Sequence, residues 1–351
     1  MRRIRDIRVD PLDIPLREPF AIAKGAQSTA KNVLVTAVLS DGTRGFGECA
    51  PFPAFNGETQ AGTLGRLRRA RAKLLGRDAD RLRPLAEAID GSGCARAGLE
   101  MALLDAWCRA RRMPLRLFFG GAQQRVETDV TIPVVGPAQA AVAAARIRRM
   151  GVRTLKIKVG TDVSEDAGRV SAAMRAAPRM RLILDGNCGF TPKKALRLLS
   201  GLRRRGIRVD LFEQPVAEDD LDGLRSVGRH GRVKVAADES APSLSALRRL
   251  IRARAAQVVN LKLMKCGVFE SLEMARAARA SGLGLMIGGM LESRLAMTCS
   301  AHLAAGVGGF DFIDLDTPLF LARDPMRGLR LRPGGVYDLS RVSSGIGVKP
   351  A

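Results

Sequence analysis

The sequence is poor in aromatic residues, in histidines and in long apolar runs. Only 4% of its residues are aromatic, and only two are histidines. No run of about 18 apolar residues occurs, which excludes a transmembrane helix. The charged start of the chain is not followed by the apolar run of roughly 7–15 residues that marks a secretory signal. We therefore expect a soluble, cytoplasmic protein with no membrane partner.

The six cysteines are scattered singly along the chain, without a C-x-x-C pair. This pattern fits neither a zinc site nor the disulfide framework of a small secreted protein. We expect reduced thiols, in agreement with a cytoplasmic location.

The net charge of +23 is the pattern expected of a nucleic-acid-binding protein, and that alternative stays open. Most of the basic residues, however, lie in predicted helices among alanine and leucine, and aromatic side chains that could stack on bases are scarce. An arginine-coated helical surface is the better explanation of the charge, so we expect no nucleic-acid partner.

Lysine is scarce beside arginine, with 11 lysines among 58 basic residues. Four of the lysines stand in apolar, strand-like segments: Lys156, Lys158, Lys262 and Lys265. A buried lysine can lose its proton, whereas arginine stays protonated in proteins. The placement therefore predicts that these lysines take part in chemistry. In "TLKIKVG", the alternation predicts a half-buried strand with two lysines side by side on one face.

From about residue 126 onward, short apolar strands alternate with helical segments rich in Ala, Arg and Leu. The strands are "TDVTIPVV", "TLKIKVG", "RLILDGN", "RVDLFEQP", "VKVAADES", "QVVNLKLM", "LGLMIGG" and "GFDFIDLD". Repeated βα units predict a parallel sheet, and eight of them predict a closed barrel. All carboxyl ends of the strands then meet at one mouth. The length of 351 residues and 46% hydrophobic content leave room for a second domain.

Polar residues end five successive predicted strands, 24 to 28 residues apart: Lys158, Asp185, Glu213, Asp238 and Lys262. A single acid at a strand end is usually a turn former or a helix cap. Three acids on consecutive strands form a different pattern, because gathered carboxylates repel one another unless a cation lies between them. Carboxylate oxygens are the ligands that Mg²⁺ prefers, so we predict a magnesium site.

The two flanking lysines suit proton transfer next to a substrate carboxylate. One lysine would remove the proton α to the carboxylate and the other would return it, while Mg²⁺ stabilises the enediolate. A base must be partly neutral near pH 7, and we expect the ammonium of Lys156 to depress the pKa of Lys158. Histidine is an improbable base here, because neither His230 nor His302 ends a strand in this register.

Five motifs carry a resemblance to a known family: K-x-K at Lys156 and Lys158, "LDGN", "EQP", "ADES" and "NLKLMKCG". Together they resemble the muconate-lactonizing subgroup of the enolase superfamily, and within it the dipeptide epimerases, L-Ala-D/L-Glu epimerase in particular. The resemblance implies an α/β fold, a (β/α)7β TIM-type barrel with an N-terminal α+β capping domain. It implies a capping domain of residues 1–125, completed by a tail of about 320–351, and a barrel of residues 126–319.

The same resemblance implies roles for individual residues. Lys158 and Lys262 match the acid/base lysines, and Asp185, Glu213 and Asp238 match the ligands of one Mg²⁺ per subunit. The other residues matched to the substrate are Lys24, Thr131, Lys156, Asp314 and Asp316. It further implies that three side chains orient these groups or balance their charge without contacting the substrate: Asn187, Lys265 and Glu292. The resemblance also implies a homo-oligomer.

Asp314 and Asp316 separate two groups of activities. The family's Asp-x-Asp binds the free α-ammonium of a dipeptide, and "FIDLD" supplies that pair here. N-acylamino acid racemase, o-succinylbenzoate synthase and muconate cycloisomerase are alternatives that hold no ammonium, and for them the pair would be an exposed acidic turn. Lys24 stands where Glu-specific relatives carry an arginine, so an acidic second residue stays open to test.

Overall fold

The computed structural model describes residues 1–22, 25–89, 91 and 93–351. The chain begins with an antiparallel sheet of three strands in the order β1-β2-β3. Its strands are β1 (Ile4–Ile22), β2 (Gly25–Leu39) and β3 (Arg44–Cys49). The turn between β2 and β3 contains Gly42, whose φ of 86° is readily adopted only by glycine.

Five helices follow this sheet: α1 (Pro53–Asn56), α2 (Gln60–Leu74), α3 (Leu82–Ala86), α4 (Cys94–Ala110) and α5 (Leu115–Phe118). The long helix α4 lies directly on β3. A Cβ atom added to Gly45 or Gly47 would collide with the backbone of α4, so glycine is what permits this close contact. The sheet and α4 enclose one apolar core.

Eight parallel strands form the second sheet, in the order of the chain from β5 to β12. They are β5 (Val130–Ile132), β6 (Thr154–Lys158), β7 (Arg181–Asp185), β8 (Leu211–Glu213), β9 (Lys234–Ala237), β10 (Val258–Leu261), β11 (Gly284–Ile287) and β12 (Phe312–Ile313). The helices between them are α6 (Pro137–Arg149), α7 (Val163–Ala176), α8 (Pro192–Arg204), α9 (Leu221–Gly231), α10 (Leu244–Ala253), α11 (Leu263–Cys266), α12 (Val268–Ala280) and α13 (Arg294–Val307). This architecture confirms the predicted (β/α)7β barrel with an N-terminal α+β part.

The first and last strands of the barrel meet through few hydrogen bonds. The Asp129 amide donates to the carbonyl of Ile313 over 2.8 Å, and the Leu315 amide donates to Thr128 Oγ1 over 2.7 Å. The hydroxyl of Tyr337 donates to the Leu315 carbonyl over 2.6 Å. In the described residues, single hydrogen bonds from backbone and side chains therefore connect the two ends of the sheet, in place of a regular strand ladder.

Strand β6 is buried on both faces. Leu155 and Ile157 pack outward against the helices, in the main core of the barrel. Lys156 and Lys158 point inward and are also buried, so the prediction of a half-buried strand is wrong. Helices cover the outside of a parallel barrel, which removes the solvent-facing side that alternation usually marks. Below the lysines, the barrel is filled by an apolar layer: Ile183, Leu211, Ala236, Val258, Met286 and Phe312.

The last residues of the chain run back along both parts of the molecule. Strand β13 (Met326–Gly328) pairs with β15 (Val348–Pro350), and β14 (Val336–Asp338) pairs with β4 (Arg125–Glu127). Two 3-10 helices, Thr317–Leu319 and Leu339–Arg341, lie in this region. In the described part of the chain, no helix is both long and apolar enough to cross a membrane.

His302 on α13 connects this tail to the rest of the fold. Its Nδ1 accepts from the Arg116 amide over 3.0 Å, and its Nε2 lies 3.0 Å from the Ile346 carbonyl, so the ring is a neutral donor at Nε2. Burial lowers the pKa of His302 from 6.5 to about 4.

This pKa predicts a pH-dependent contribution to stability. The unfolded chain binds a proton at His302 near pH 6.5 and the folded chain does not, so stability falls as the pH drops below 6.5. His302→Gln keeps a donor and an acceptor without the titration. We expect the free energy of unfolding of the wild type, relative to this variant, to fall by about 2 kcal/mol between pH 7.5 and pH 5. Urea unfolding of both proteins at pH 7.5 and pH 5 measures the change. The same difference in free energy of unfolding at both pH values would contradict the lowered pKa of His302.

Candidate active site

The five polar strand ends predicted from the sequence lie together at the mouth of the barrel. Strand register places Lys158 beside Asp185, and Asp185 beside Glu213. Asp238 directly follows β9, and Lys262 directly follows β10. All five side chains are buried. The spacing along the chain therefore does predict a cluster at one end of the barrel.

Lys158 and Lys262, which we call the outer lysines, each pair with the acid on the neighbouring strand. Lys158 Nζ donates to Asp185 Oδ2 over 2.6 Å, and Lys262 Nζ donates to Asp238 Oδ2 over 2.7 Å. The two ammonium groups thus stand at opposite ends of a row of three carboxylates. Groups in these positions can approach a bound molecule from two sides.

Lys156 lies at the centre of the charged cluster. Its Nζ is 2.6 Å from Glu213 Oε2, 2.6 Å from Asp314 Oδ2 and 3.0 Å from Asp185 Oδ2. Burial lowers the pKa of Lys156, but the negative charges of Asp185, Asp314 and Glu213 outweigh burial and raise it well above its usual range. Lys156 is therefore a fixed positive charge rather than a proton carrier.

The same balance acts on Lys262. Burial lowers its pKa, while the charges of Asp238 and Glu213 raise it further, so the net pKa is raised. A general base must give up its proton near neutral pH. A cation shared by these carboxylates would take up much of their negative charge and so lower the pKa of the lysine.

Two of the supporting residues predicted from the sequence contact the cluster. Lys265 Nζ donates to Asp238 Oδ1 over 2.9 Å and to the carbonyls of Asp238 and Asn260 over 2.8 Å. Asn187 Oδ1 accepts from Lys158 Nζ over 2.8 Å. Glu292, in contrast, is buried beside its own loop, where Oε1 accepts from the Met290 amide over 2.6 Å.

Sequence reasoning missed Asn260, whose Nδ2 donates to Glu213 Oε1 over 2.7 Å. Asn260 lies two residues before Lys262, so both side chains point into the barrel. An asparagine within the apolar run "QVVNLKLM" was the available signal, because a buried amide needs partners.

A second group of acids lies on the other side of Lys156. Carboxylate oxygens of Asp129, Asp314 and Asp316 lie within 4.8 Å of one another. Asp314 and Asp316 are buried, so the alternative of an exposed acidic turn is wrong. Asp316 Oδ2 accepts from the backbone amide of Thr131 over 2.6 Å. Burial and the charge of Asp314 raise the pKa of Asp316 to about 7, which marks a place that favours a positively charged group.

Asp129 was not predicted as a site residue. Both of its carboxylate oxygens are buried without a hydrogen-bond partner. Burial and the charges of Asp314 and Asp316 raise the pKa of Asp129 well above its usual range. Its position immediately before β5 gave no signal, because a lone acid at that end of a strand is usually a turn residue.

A cavity opens between the two acid groups and the N-terminal part of the chain. The described residues that line it are Phe52, Phe55, Thr131, Lys156, Lys158, Asn187, Lys262, Gly289, Met290, Leu291, Asp314, Asp316 and Thr317. Both outer lysines therefore face the same space. Lys262 Nζ lies 5.1 Å from the centre of the Phe55 ring, close enough for a cation–π contact. Lys24, predicted to contact the substrate, lies outside the described residues.

The chemistry of the donor set fits a hard divalent cation. Asp185, Glu213 and Asp238 present carboxylate oxygens at the ends of three adjacent strands, β7, β8 and β9. Oxygen donors of this kind suit Mg²⁺ rather than zinc or copper. In the described residues, however, the acids that approach within 4.8 Å of one another are Asp129, Asp314 and Asp316. The assignment of the ligands therefore stays a prediction.

The fold and the site together define a barrel protein with a buried lysine–carboxylate centre at the carboxyl ends of its strands. Residues 4–120 match the sequence model of the mandelate racemase / muconate lactonizing enzyme N-terminal domain, and residues 139–351 match that of the enolase C-terminal domain-like family. The chain belongs to this enolase-related family, which confirms the resemblance seen in its motifs.

Relatives of known name match the chain along almost its whole length. It is 48% identical over 345 residues to an aromatic dipeptide epimerase of Herpetosiphon aurantiacus, covering 97% of each chain. It is 42% identical over 341 residues to an L-Ala-D/L-amino acid epimerase of Populus trichocarpa, covering 94% of this chain and 81% of the relative. A dipeptide epimerase of Enterococcus faecalis V583, solved with Mg and the dipeptide L-Leu-L-Tyr, superposes with a TM-score of 0.95 at 31% identity, covering 99% of each chain.

The contacts of Lys156 predict a large effect on stability. Lys156→Met removes the ammonium shared by Asp185, Glu213 and Asp314, leaving buried carboxylates without their central partner. We expect a loss of about 3–5 kcal/mol in the free energy of unfolding, measured by urea unfolding in metal-free buffer.

Lys158→Met is the matched control, since among the carboxylates that the structure describes Lys158 pairs with Asp185 alone. Its loss should be clearly smaller. Equal losses in the two variants would show that Lys156 is not the central charge of the cluster.

Proposed function

We propose that this chain is a Mg²⁺-dependent isomerase that epimerises dipeptides at the α-carbon of the second residue. The observation that carries the proposal is that Lys158 and Lys262 face one cavity from the two ends of a row of carboxylates. The names of the relatives support it. One is named an aromatic dipeptide epimerase and another an L-Ala-D/L-amino acid epimerase, and a solved neighbour holds Mg and a dipeptide.

In this proposal Lys158 and Lys262 exchange the α-proton with the substrate. One lysine takes the proton from one face of the α-carbon, and the other delivers a proton to the opposite face, which inverts the configuration. Asp185, Glu213 and Asp238 hold the Mg²⁺. When bound, the ion supplies the positive charge that makes a proton next to a carboxylate acidic enough to remove. Asn187 orients Lys158 through its hydrogen bond, and Lys265 orients Asp238.

Asp314 and Asp316 bind the free α-ammonium of the dipeptide in this proposal. They line the cavity beside Lys156 and Thr131. The backbone amide of Thr131 donates a hydrogen bond to Asp316 and holds its carboxylate in place. Asp314 shares the Lys156 ammonium with Asp185 and Glu213, so one positive charge serves three carboxylates. A substrate ammonium compensates the remaining negative charge. The sister activities of the family act on substrates without this ammonium, so the pair favours a dipeptide.

Two kinds of side chain are candidates for the second residue of the dipeptide substrate: acidic, and apolar or aromatic. The sequence predicts L-Ala-D/L-Glu, and this prediction depends on Lys24 meeting the carboxylate of the substrate side chain. A specific observation favours apolar or aromatic side chains instead: the cavity is walled by Phe52, Phe55, Met290 and Leu291. The 48% identical relative is named an aromatic dipeptide epimerase, which supports this second candidate.

The proposal also covers the domain division, the location and partners, and the oligomeric state of the chain. The chain would divide into a capping domain of residues 1–125, completed by the tail from about 320, and a barrel of residues 126–319. It would act in the cytoplasm on a small-molecule dipeptide, without a nucleic-acid partner. It would assemble as a homo-oligomer, which equilibrium sedimentation can test.

A dipeptide library in D₂O with Mg²⁺ tests the proposed activity. We expect mass spectrometry to find a gain of one mass unit in reactive dipeptides, because the returned proton comes from solvent. L-Ala-L-Glu and L-Ala-L-Phe represent the two candidate side chains. Exchange in N-acylamino acids but in no free dipeptide would overturn the proposal and favour a sister activity.

The two-lysine mechanism predicts that neither lysine is dispensable. Lys158→Ala and Lys262→Ala should each lower the rate of epimerisation by about 10²–10⁴-fold, because each removes one of two required proton carriers. Chiral chromatography of the products measures the rates. Lys234→Ala, at an exposed lysine on β9, is the control and should keep wild-type activity. Turnover retained in either active-site variant would exclude the mechanism.

The ammonium site predicts a selective loss of binding. Asp316→Asn keeps an oxygen that can accept from the Thr131 amide but removes the negative charge. We expect KM for a free dipeptide to rise about tenfold or more, and KM for its N-acetyl derivative to change much less, because only the free dipeptide carries the ammonium. Steady-state kinetics on both compounds measure the effect. Equal losses on both would remove the assigned role.

A further inference from the structure

One wall of the cavity belongs to a segment without regular structure, residues 288–293, which we call the cavity loop. It connects β11 to α13 and contributes Gly289, Met290 and Leu291 to the cavity. A substrate group that packs on this wall depends on where the loop is held.

The cavity loop is attached to the N-terminal sheet by two buried side chains. Asn32 Nδ2 on β2 donates to the Leu291 carbonyl over 2.9 Å and to Glu48 Oε1 over 2.6 Å. Glu48 on β3 accepts the Ser293 amide at Oε1 over 2.9 Å and the Ser293 hydroxyl at Oε2. The bonds from this sheet to Leu291 and to Ser293 join positions that are 259 and 245 residues apart in the chain.

Asn32 and Glu48 are both buried, so the loss of one of their hydrogen bonds costs more stability than it would at the surface. Asn32 is 1% exposed and Glu48 is 0% exposed, so water does not replace a partner that is lost. The two strands are paired, with Leu34 opposite Glu48 in the register, so Asn32 and Glu48 share a rigid sheet. Gln60 also holds β2 in place, because its Nε2 donates to the Asn32 carbonyl over 2.7 Å.

The same sheet also leads to another part of the cavity lining. Phe52 and Phe55 follow β3 after only a few residues and line the cavity. The β2–β3 pair is therefore connected to two parts of the cavity lining, Phe52 with Phe55 and the cavity loop. A shift of the loop relative to the sheet would change the shape of the cavity.

We propose that Asn32 and Glu48 are positioning residues that hold the cavity loop at the distance from Phe52 and Phe55 that substrate binding requires. The consequence for substrate rests on the proposed function, whereas the attachment of the loop does not. Neither residue lines the cavity in the part of the chain that the structure describes. They act through the Leu291 carbonyl and through the amide and hydroxyl of Ser293.

Glu100 provides a matched control. It is also a buried glutamate of the N-terminal part that crosses to the barrel, where its Oε2 accepts from the amides of Val268 and Phe269 at the start of α12. It does not line the cavity in the described residues. Glu100→Leu therefore costs a similar set of bonds between the same two parts of the molecule, away from the loop.

Hydrogen–deuterium exchange tests the attachment without any need for activity. In Asn32→Leu and Glu48→Leu, peptides covering residues 288–293 should exchange at least about tenfold faster than in the wild type. Glu100→Leu should leave these peptides unchanged. If Glu48→Leu does not fold, Asn32→Leu is compared with Glu48→Gln. The first variant loses bonds to the loop and should exchange faster, whereas the second keeps its acceptor and should not. Unchanged exchange of the loop in Asn32→Leu would overturn the proposal.

Kinetics test the consequence for substrate. With any dipeptide that the wild type epimerises, Asn32→Leu should raise KM at least about fivefold and change kcat less than about twofold, because the lysines keep their places. Glu48→Gln can still accept from Asn32 and Ser293, so it should stay within about twofold of wild-type KM. Equal KM increases in Glu100→Leu would indicate a general loss of stability and overturn the positioning role. Wild-type inactivity on all dipeptides would refute the proposed function alone, since the exchange result stands independently.

Discussion

The structure depends on the compensation of buried charge inside the barrel. Strand β6 can carry two inward lysines because acids at the ends of β7, β8 and β12 lie beside them. Lys156 shows this most clearly, since it is fully enclosed and lies within 3.0 Å of three carboxylates. Any change of register between β6 and β8 would separate these charges, so the charged layer specifies the arrangement of the strands as well as the chemistry.

The charged layer also explains why one face of the barrel is reactive. Below it, the interior is filled by apolar side chains from six strands. Above it, the cavity is lined by Phe52 and Phe55 from the N-terminal part and by the cavity loop. Ionisable groups in such a place are shielded from water, and their pKa values respond strongly to each added charge. A bound cation or a substrate ammonium therefore has a large effect on proton transfer there.

Much of this arrangement could be predicted from the sequence. Spacing alone placed Lys158, Asp185, Glu213, Asp238 and Lys262 at strand ends, and parallel strands in a barrel must bring such ends together. Scarcity of lysine beside abundant arginine pointed to the same positions. These signals are local or periodic, and the barrel converts them directly into proximity. The motifs added the family, which the whole-chain matches confirm.

The remaining features depend on contacts that no local pattern records. Asn260 looks like one polar residue in an apolar run until Glu213 is placed opposite it. Asp129 becomes part of the site only because the first and last strands of the barrel meet. The attachment of the cavity loop joins residues that are 245 and 259 positions apart, and its asparagine and glutamate are ordinary strand residues in the sequence. Burial on both faces of β6 likewise follows from the helices around the barrel.

The most direct test is the position of a bound ion. Crystals grown with Mn²⁺ in place of Mg²⁺ allow the ion to be located by anomalous scattering. If the three acids hold the ion, one strong peak is expected at ligand distance, about 2.0–2.3 Å, from carboxylate oxygens of Asp185, Glu213 and Asp238. A peak enclosed instead by Asp129, Asp314 and Asp316 would contradict that assignment. In that case the ion would occupy the place assigned to the substrate ammonium, and the row of carboxylates between the two lysines would have no metal to hold.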